Sequence, residues 1–233
     1  MLQGLDAAGE FYHDVLNDEI LYIDDPTNNP CGSPCVGIVP AIDTLISVVG
    51  WTKPATPVAD IALVDLILQH AGDGGEARFS AYAGGPVAVV QLGPEVSALT
   101  IVRCDLEHGG GSGLLIANPS VRGVVVQSSR LTDLGGEGIS LQSQDTRDVL
   151  VADCEVSETG HIFMEQPAII RLKGQSNISV INNNVHHGPY GGIMIGWEHP
   201  GEPTPSPAVF HVRRNHVHDY GMGVLSDFVS AVQ

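Results

Sequence analysis

Basic residues are scarce in this chain: ten Lys and Arg stand against 27 Asp and Glu over 233 residues, a formal net charge of −17. That balance argues against nucleic acid and against anionic membrane surfaces as partners, and says little about a neutral sugar. No apolar run approaches 18 residues, so no membrane span is expected, and no basic segment followed by an apolar stretch opens the chain, so no signal peptide is visible. Cysteine is limited to four. Cys31 and Cys35, in CGSPC, are able to pair or to form half a metal site, but no second Cys or His pair sits nearby. Helix signals are few, whereas 28 Gly and 43% hydrophobic residues suit a turn-rich β architecture with a sizeable core.

What is present is a repeat. Six segments share a run of alternating apolar residues, a small or amide residue, one more aliphatic, and an ionisable residue two positions on: IALVDLILQH (61–70), LTIVRCDLEH (99–108), VVVQSSRLTD (124–133), VLVADCEVSE (149–158), ISVINNNVHH (178–187) and FHVRRNHVHD (210–219). The turn position falls at Leu66, Cys104, Ser129, Cys154, Asn183 and Asn215, at spacings of 38, 25, 25, 29 and 32 residues. This is a solenoid period with insertions. Apolar residues three and five before each turn position have the period of two of a strand with one buried face. A second short apolar run follows each unit, as in GLLIA from Gly113, GISLQ from Gly138 and GGIMIG from Gly191. The expectation is an all-β, parallel β-helix with two strands per unit, its coils about 4.8 Å apart.

Two regions are read: residues 1–57, a hairpin and loop leading in, and residues 58–233, the β-helix. GEFYHD and EILYI around Asn17 and Asp18 suggest the hairpin. A first solenoid strand is expected at Thr44–Val49, a partial coil at 86–93, and a Pro-rich loop at 197–209. The last unit has no polar cap after it, so further coils are expected beyond it. Cys104 and Cys154 share a turn position two coils apart, beyond disulfide reach, and read as buried small hydrophobes in a stack. Asn183 and Asn215 should form an internal ladder between turns. The residues say nothing about oligomeric state.

The ionisable position makes a second column: His70, His108, Asp133, Glu158, His187 and Asp219. Neighbours there should lie about 5 Å apart, so Asp133 and Glu158 have roughly the separation of a retaining carboxylate pair. Asp and His are also common in turns simply as solvated caps. Aligning the second strands sets Gln142, Lys173, Gly196 and Asp227 at one outward position, with Trp197 and Glu198 starting a loop beside it. Two carboxylates and an aromatic platform around a cleft suit sugar hydrolysis. His186, His187, His216 and His218 come together on adjacent coils, but without a recognised ligand spacing, so no metal and no cofactor is called for.

The segments GEFYHD…ILYI, GGEGISL, SNISVINNNVHHGPYGGIMIGW and NHVHDYGMGVLSD together resemble the right-handed parallel β-helix proteins of the pectin-lyase-like superfamily, and most of all its glycoside hydrolases, including α-fucosidase and xylanase-like members. The resemblance implies a carbohydrate substrate, an extracytoplasmic setting and Asp227 as a catalytic carboxylate. Relatives often carry Asp where this chain has His187, which leaves Asp219 or Glu198 as the partner of Asp227. It diverges after Asp227 into FVSAVQ. Substrate contacts are expected from Trp197, His187, Tyr190, Glu158 and Lys173. A polysaccharide lyase is the enzyme alternative, with Arg171 and Lys173 as its cations; its unsaturated product would absorb in the ultraviolet. A non-catalytic glycan-binding or structural β-helix is the alternative of another class.

Overall fold

The computed structural model describes residues 11–14, 16–17, 19–23, 37–53, 55–74, 87–118, 120–143, 146–164, 166–172, 176–197 and 209–221. None of them is helical, so none belongs to a helix long and apolar enough to cross a membrane. By internal contacts the chain divides into residues 1–39 and 40–233. In the first unit Phe11–Asp14 and Glu19–Tyr22 form an antiparallel hairpin. Its turn is closed by the Asp14 carboxylate, which accepts from the backbone N–H of Leu16 and the side-chain amide of Asn17.

The second unit is a parallel β-helix built from three six-stranded parallel sheets. The first sheet contains Val58–Val64, Val96–Val102, Arg122–Gln127, Arg147–Ala152, Ser176–Ile181 and Phe210–Arg213. The second contains Ile67–Gln69, Asp105–Gly109, Arg130–Leu134, Glu155–Thr159, Asn184–Gly188 and His216–Tyr220. Ile46–Val48, Ala88–Leu92, Ser112–Ile116, Ile139–Leu141, Ile169–Leu172 and Ile193–Trp197 make the third. Thus Ile46–Val48 already pairs into the helix, and Ala88–Leu92 supplies a strand between it and Ser112–Ile116.

Each coil therefore has three strands, which corrects the expected two. The ten-residue pattern hides a corner. In the coil from Val124 the buried positions are Val124, Val126, Ser129, Leu131 and Leu134, so the step of two becomes three at two places. The residue inserted at each long step, Ser128 and then Asp133, has a left-handed backbone, with φ of 50° and 53°. The same corners recur at Arg103 and His108, Asp153 and Glu158, Asn182 and His187, and Arg214 and Asp219. One left-handed residue turns the chain sharply enough to start a new sheet without losing the inward face.

The interior is a set of aliphatic stacks. Leu99, Val124, Val149 and Ile178 lie in register in the first sheet, Leu106, Leu131, Val156 and Val185 in the second, and Leu114, Ile139, Ile169 and Ile193 in the third. All twelve are buried, each contributing roughly 1.5–3 kcal/mol of burial. Where the second sheet passes into the third, backbones meet directly: a Cβ on Gly135 would stand 2.0 Å from the Gly110 carbonyl oxygen.

The corner between the first two sheets is closed from inside. The Ser129 hydroxyl accepts from the Cys104 N–H at 3.1 Å, and Asn183 Oδ1 accepts from the Cys154 N–H at 2.9 Å. The Asn183 N–H and side-chain amide both donate to Asn215 Oδ1 at 2.9 Å, which is the predicted ladder. Cys104 and Cys154 are buried, unpaired thiols with Ser129 between them, and burial pushes the Cys154 thiol up to about 11. Neither is a reactive nucleophile.

Candidate functional site

All six ionisable positions of the repeat fall on one line down the edge of the second sheet, and each is a left-handed corner residue: φ is 63° at His70, 54° at His108, 53° at Asp133, 48° at Glu158, 54° at His187 and 55° at Asp219. The corner needs the backbone, not the side chain, and side chains there face outward. Polar groups on the outer face of the sheet flank the line. Arg130 Nη2 donates to Asp105 at 3.2 Å and to Glu107 at 2.7 Å, and Gln69 also donates to Glu107.

Two constellations form. In the upper one, Asp133 faces two imidazoles: its Oδ2 is bonded to His108 Nδ1 at 2.5 Å, and its Oδ1 lies 3.2 Å from His161 Nε2. His70 stacks on His108 with centroids 5.2 Å apart. His161 lies past the left-handed Gly160, outside the repeat, so the column pattern could not include it. Backbone bonds position it: the N–H of His161 donates to Leu134, and those of Ile162 and Phe163 donate to Gly135.

The lower constellation holds the predicted Asp219 and His187. His218 Nδ1 is 2.7 Å from Asp219 Oδ2, and His187 Nε2 is 4.0 Å from the same oxygen. The hydrogen bond from His218, reinforced by the charges of His187 and His186, holds the Asp219 carboxyl below the usual carboxylate range against a smaller desolvation cost. Glu158 is exposed in the column between Asp133 and His187. Tyr190 is half-buried in the bend before Ile193–Trp197.

Glu198, Lys173 and Asp227 lie outside the described residues, as do Cys31, Cys35 and the Pro-rich segment 198–208. Trp197 is placed by its backbone alone, opposite Leu172. The register corrects one alignment. Leu141 pairs with Arg171, so Gln142 falls level with Leu172 and not with Lys173, and a shift between Arg171 and Leu172 takes Gly196 out of the ladder. An inserted residue at a bulge is invisible to a strand-by-strand alignment.

One acid was missed. Glu137, in the GGEGISL segment, is fully buried, and burial raises its carboxyl above the usual range. The Ser112 hydroxyl donates to its Oε2 at 2.7 Å, while Oε1 has no partner among the described residues. A Glu between glycines gives no sign of its burial in sequence. Among the described residues no group of three or more His, Cys, Asp or Glu is arranged to hold a metal ion. A pocket beside the last described coil, lined by Leu141, Ile169, Val180, Ile193 and Phe210 among other apolar side chains, offers no polar group to a sugar.

A family model described as "Right handed beta helix region" matches residues 89–225, more than half of the chain. Among solved structures the chain is similar to a "Glycoside hydrolase" at a TM-score of 0.70 and 22% identity, over 93% of this chain and 44% of that one. The chain thus spans less than half the length of that relative, and at this identity the likeness shows the fold. No curated protein matches.

Proposed function

The chain belongs to the right-handed β-helix family, and from that premise we propose that it is a carbohydrate-active protein, a glycoside hydrolase acting through paired carboxylates on a poly- or oligosaccharide. The observation that carries this reading is Asp219, an exposed carboxylate held ionised by His218 on the outer face of a rigid sheet. A carboxylate so held suits the base or the nucleophile, since it cannot keep the proton a leaving oxygen needs. Its partner, the acid, is assigned to Asp227, the carboxylate the family resemblance implies, with Glu198 the alternative to Asp219 beside it. Glu158, two coils from Asp219 in the same column, stands at about 9–10 Å by the coil spacing, near the upper end of the separation used by inverting enzymes. In such a step the acid protonates the glycosidic oxygen as the C–O bond breaks, and the base takes a proton from the attacking water. Trp197, His187, Tyr190, Glu158 and Lys173 are assigned to holding the sugar.

A second reading has one observation in its favour. The column residue beside Asp219 is His187, so the adjacent-coil carboxylate pair of a retaining enzyme is not found at this point among the described residues. A non-catalytic glycan-binding β-helix would not need one. The test is a screen of the purified chain against nitrophenyl glycosides and plant and algal polysaccharides, reading reducing ends and ultraviolet absorbance. The hydrolase predicts reducing ends without an ultraviolet product, with the rate lowered at least about 100-fold in Asp219→Asn. Saturable glycan binding with no turnover by the folded parent would establish the second reading.

A further inference from the structure

The net charge of −17 is unevenly distributed. Residues 1–165 carry 23 acidic and six basic side chains; residues 166–233 carry four of each, together with six of the ten histidines. No acidic residue occurs between Glu165 and Glu198. The acid-poor part includes the last two described coils, and these bring four histidines onto the outer face of the second sheet.

The parallel register sets Asn184 beside His216 and His186 beside His218, with His187 following in the corner column. His186 stacks on His218 with centroids 4.9 Å apart and 16° between the planes, and His216 lies 4.3 Å from His218. His187 meets His186 edge to face at 4.9 Å. Two carboxylates touch this group: Glu155 Oε1, 3.3 Å from His186 Nε2, and Asp219. Glu158 holds the column position before His187. His211 and Arg213 lie on the adjoining strand, Arg213 Nη2 being 3.2 Å from His211 Nδ1, and Arg214 forms the corner between that strand and His216. Arg130, the cation of the same sheet three coils before His216, is already engaged by Asp105 and Glu107.

Two physical consequences follow. With neutral rings, the four imidazoles and two carboxylates sum to two negative charges; with protonated rings they sum to two positive charges. Moreover, the Nδ1 atoms of His186 and His187 lie 2.6 Å apart, so one donates and the other accepts, and the two cannot both carry protons in this arrangement. Protonating the four rings would therefore reverse the sign of the face and remove this bond, leaving both N–H groups to seek another acceptor. An anion seated among them offsets the repulsion between the rings and accepts those donors.

We propose that His186, His187, His216 and His218 form an oxyanion-binding site assembled by protonation, closed near neutrality and open in mild acid, for a sulfate, phosphate or carboxylate group carried by the ligand. It goes beyond the hydrolase reading and does not rest on turnover, although His187 and Asp219 belong to both. Asp219→Asn separates the two, because it can abolish turnover while acid-dependent anion binding persists.

The experiment is calorimetric titration of the whole chain with dextran sulfate, polygalacturonate and inorganic sulfate at about pH 5.5 and about pH 7.5, at fixed ionic strength. The expected result is affinity at least about tenfold tighter in acid, since the two conditions lie on either side of the usual imidazole range. This gain disappears in the double variant His186→Gln, His218→Gln and survives in His70→Gln, His108→Gln, which alters the stacked pair among the acid-rich coils. Binding of inorganic sulfate assigns the site to the group itself; binding of the polymers alone assigns it to a chain carrying such groups. Equal affinity at the two pH values, a gain unchanged in the first double variant, or no binding in any arm would overturn the proposal. If that variant does not fold, the ring proton resonances of the parent decide: sulfate in mild acid should shift those of His186 and His218, and shifts confined to other histidines would overturn it.

Discussion

Asn183 and His187 sit four residues apart on one coil, and each belongs to a column repeated down the solenoid. In the inner column, Leu66, Cys104, Ser129, Cys154, Asn183 and Asn215, the four middle side chains are buried, the two end ones half-buried, and the polar ones are bonded atom by atom: Asn183 accepts from Cys154, donates to the Val151 carbonyl at 3.0 Å, and meets Asn215 on its other side. The outer column runs through His, Asp and Glu with no common side-chain partner, although every member holds a left-handed backbone. Inside, the fold specifies the side chain; outside, it specifies only φ. Residue types in the outer column are therefore free to serve chemistry, whereas those in the inner column are spent on closing the corner.

Among the enclosed groups that depart from this rule is Glu137, one of whose carboxylate oxygens has no partner among the described residues, and it should give the largest effect. Burial raises its carboxyl above the usual range in the folded chain, whereas in the unfolded chain it ionises in the ordinary range near pH 4.3. Below that pH both states hold the proton and nothing is lost. As pH rises past it, the unfolded chain releases a proton that the folded chain keeps, so stability falls by up to about 1.4 kcal/mol per pH unit until the folded group itself ionises. Denaturant midpoints of the parent and Glu137→Gln should therefore diverge in favour of the variant as pH rises above the ordinary carboxyl range. Parallel curves would show that the carboxyl is not held neutral. Next in size is Asn183→Leu, which strands the Cys154 N–H and the Val151 carbonyl and should cost about 1–3 kcal/mol in equilibrium unfolding. A variant as stable as the parent would mean that the inner column is not what closes the corner.

The same contrast explains what could be read from residues alone. Alternation at Val124 and Val126, then Ser129 and Leu131, exposes a one-sided strand, and recurrence exposes the solenoid, because burial constrains those positions in every coil. The third strand escaped notice because its corner consists of one residue, Ser128, whose left-handed φ no residue type announces. The Asn183–Asn215 ladder was legible because an amide at a buried turn must find partners. Exposed chemistry was not: the approach of His161 to Asp133 joins a repeat position to a loop outside the repeat, and Glu137 looks in sequence like any acid in a glycine-rich turn.

The smallest expected effect is opposite in sign to that of Asn183→Leu and tests the outer column most sharply. Asp, Asn and His tolerate the left-handed region better than other side chains, so Glu158, at φ 48°, is the least suited member of its column. A left-handed backbone costs an L-residue roughly 1–2 kcal/mol, and glycine returns about 0.5–1 kcal/mol of that through the freedom it gains in the unfolded chain. Glu158→Gly should therefore stabilise the fold by up to about 1 kcal/mol in thermal or denaturant unfolding. If Glu158 acts on sugar as proposed, the same substitution lowers turnover or glycan affinity while raising stability. Loss of stability instead would show that the Glu158 side chain, like that of Asn183, is held by the fold, and the division between the two columns would fail at that coil.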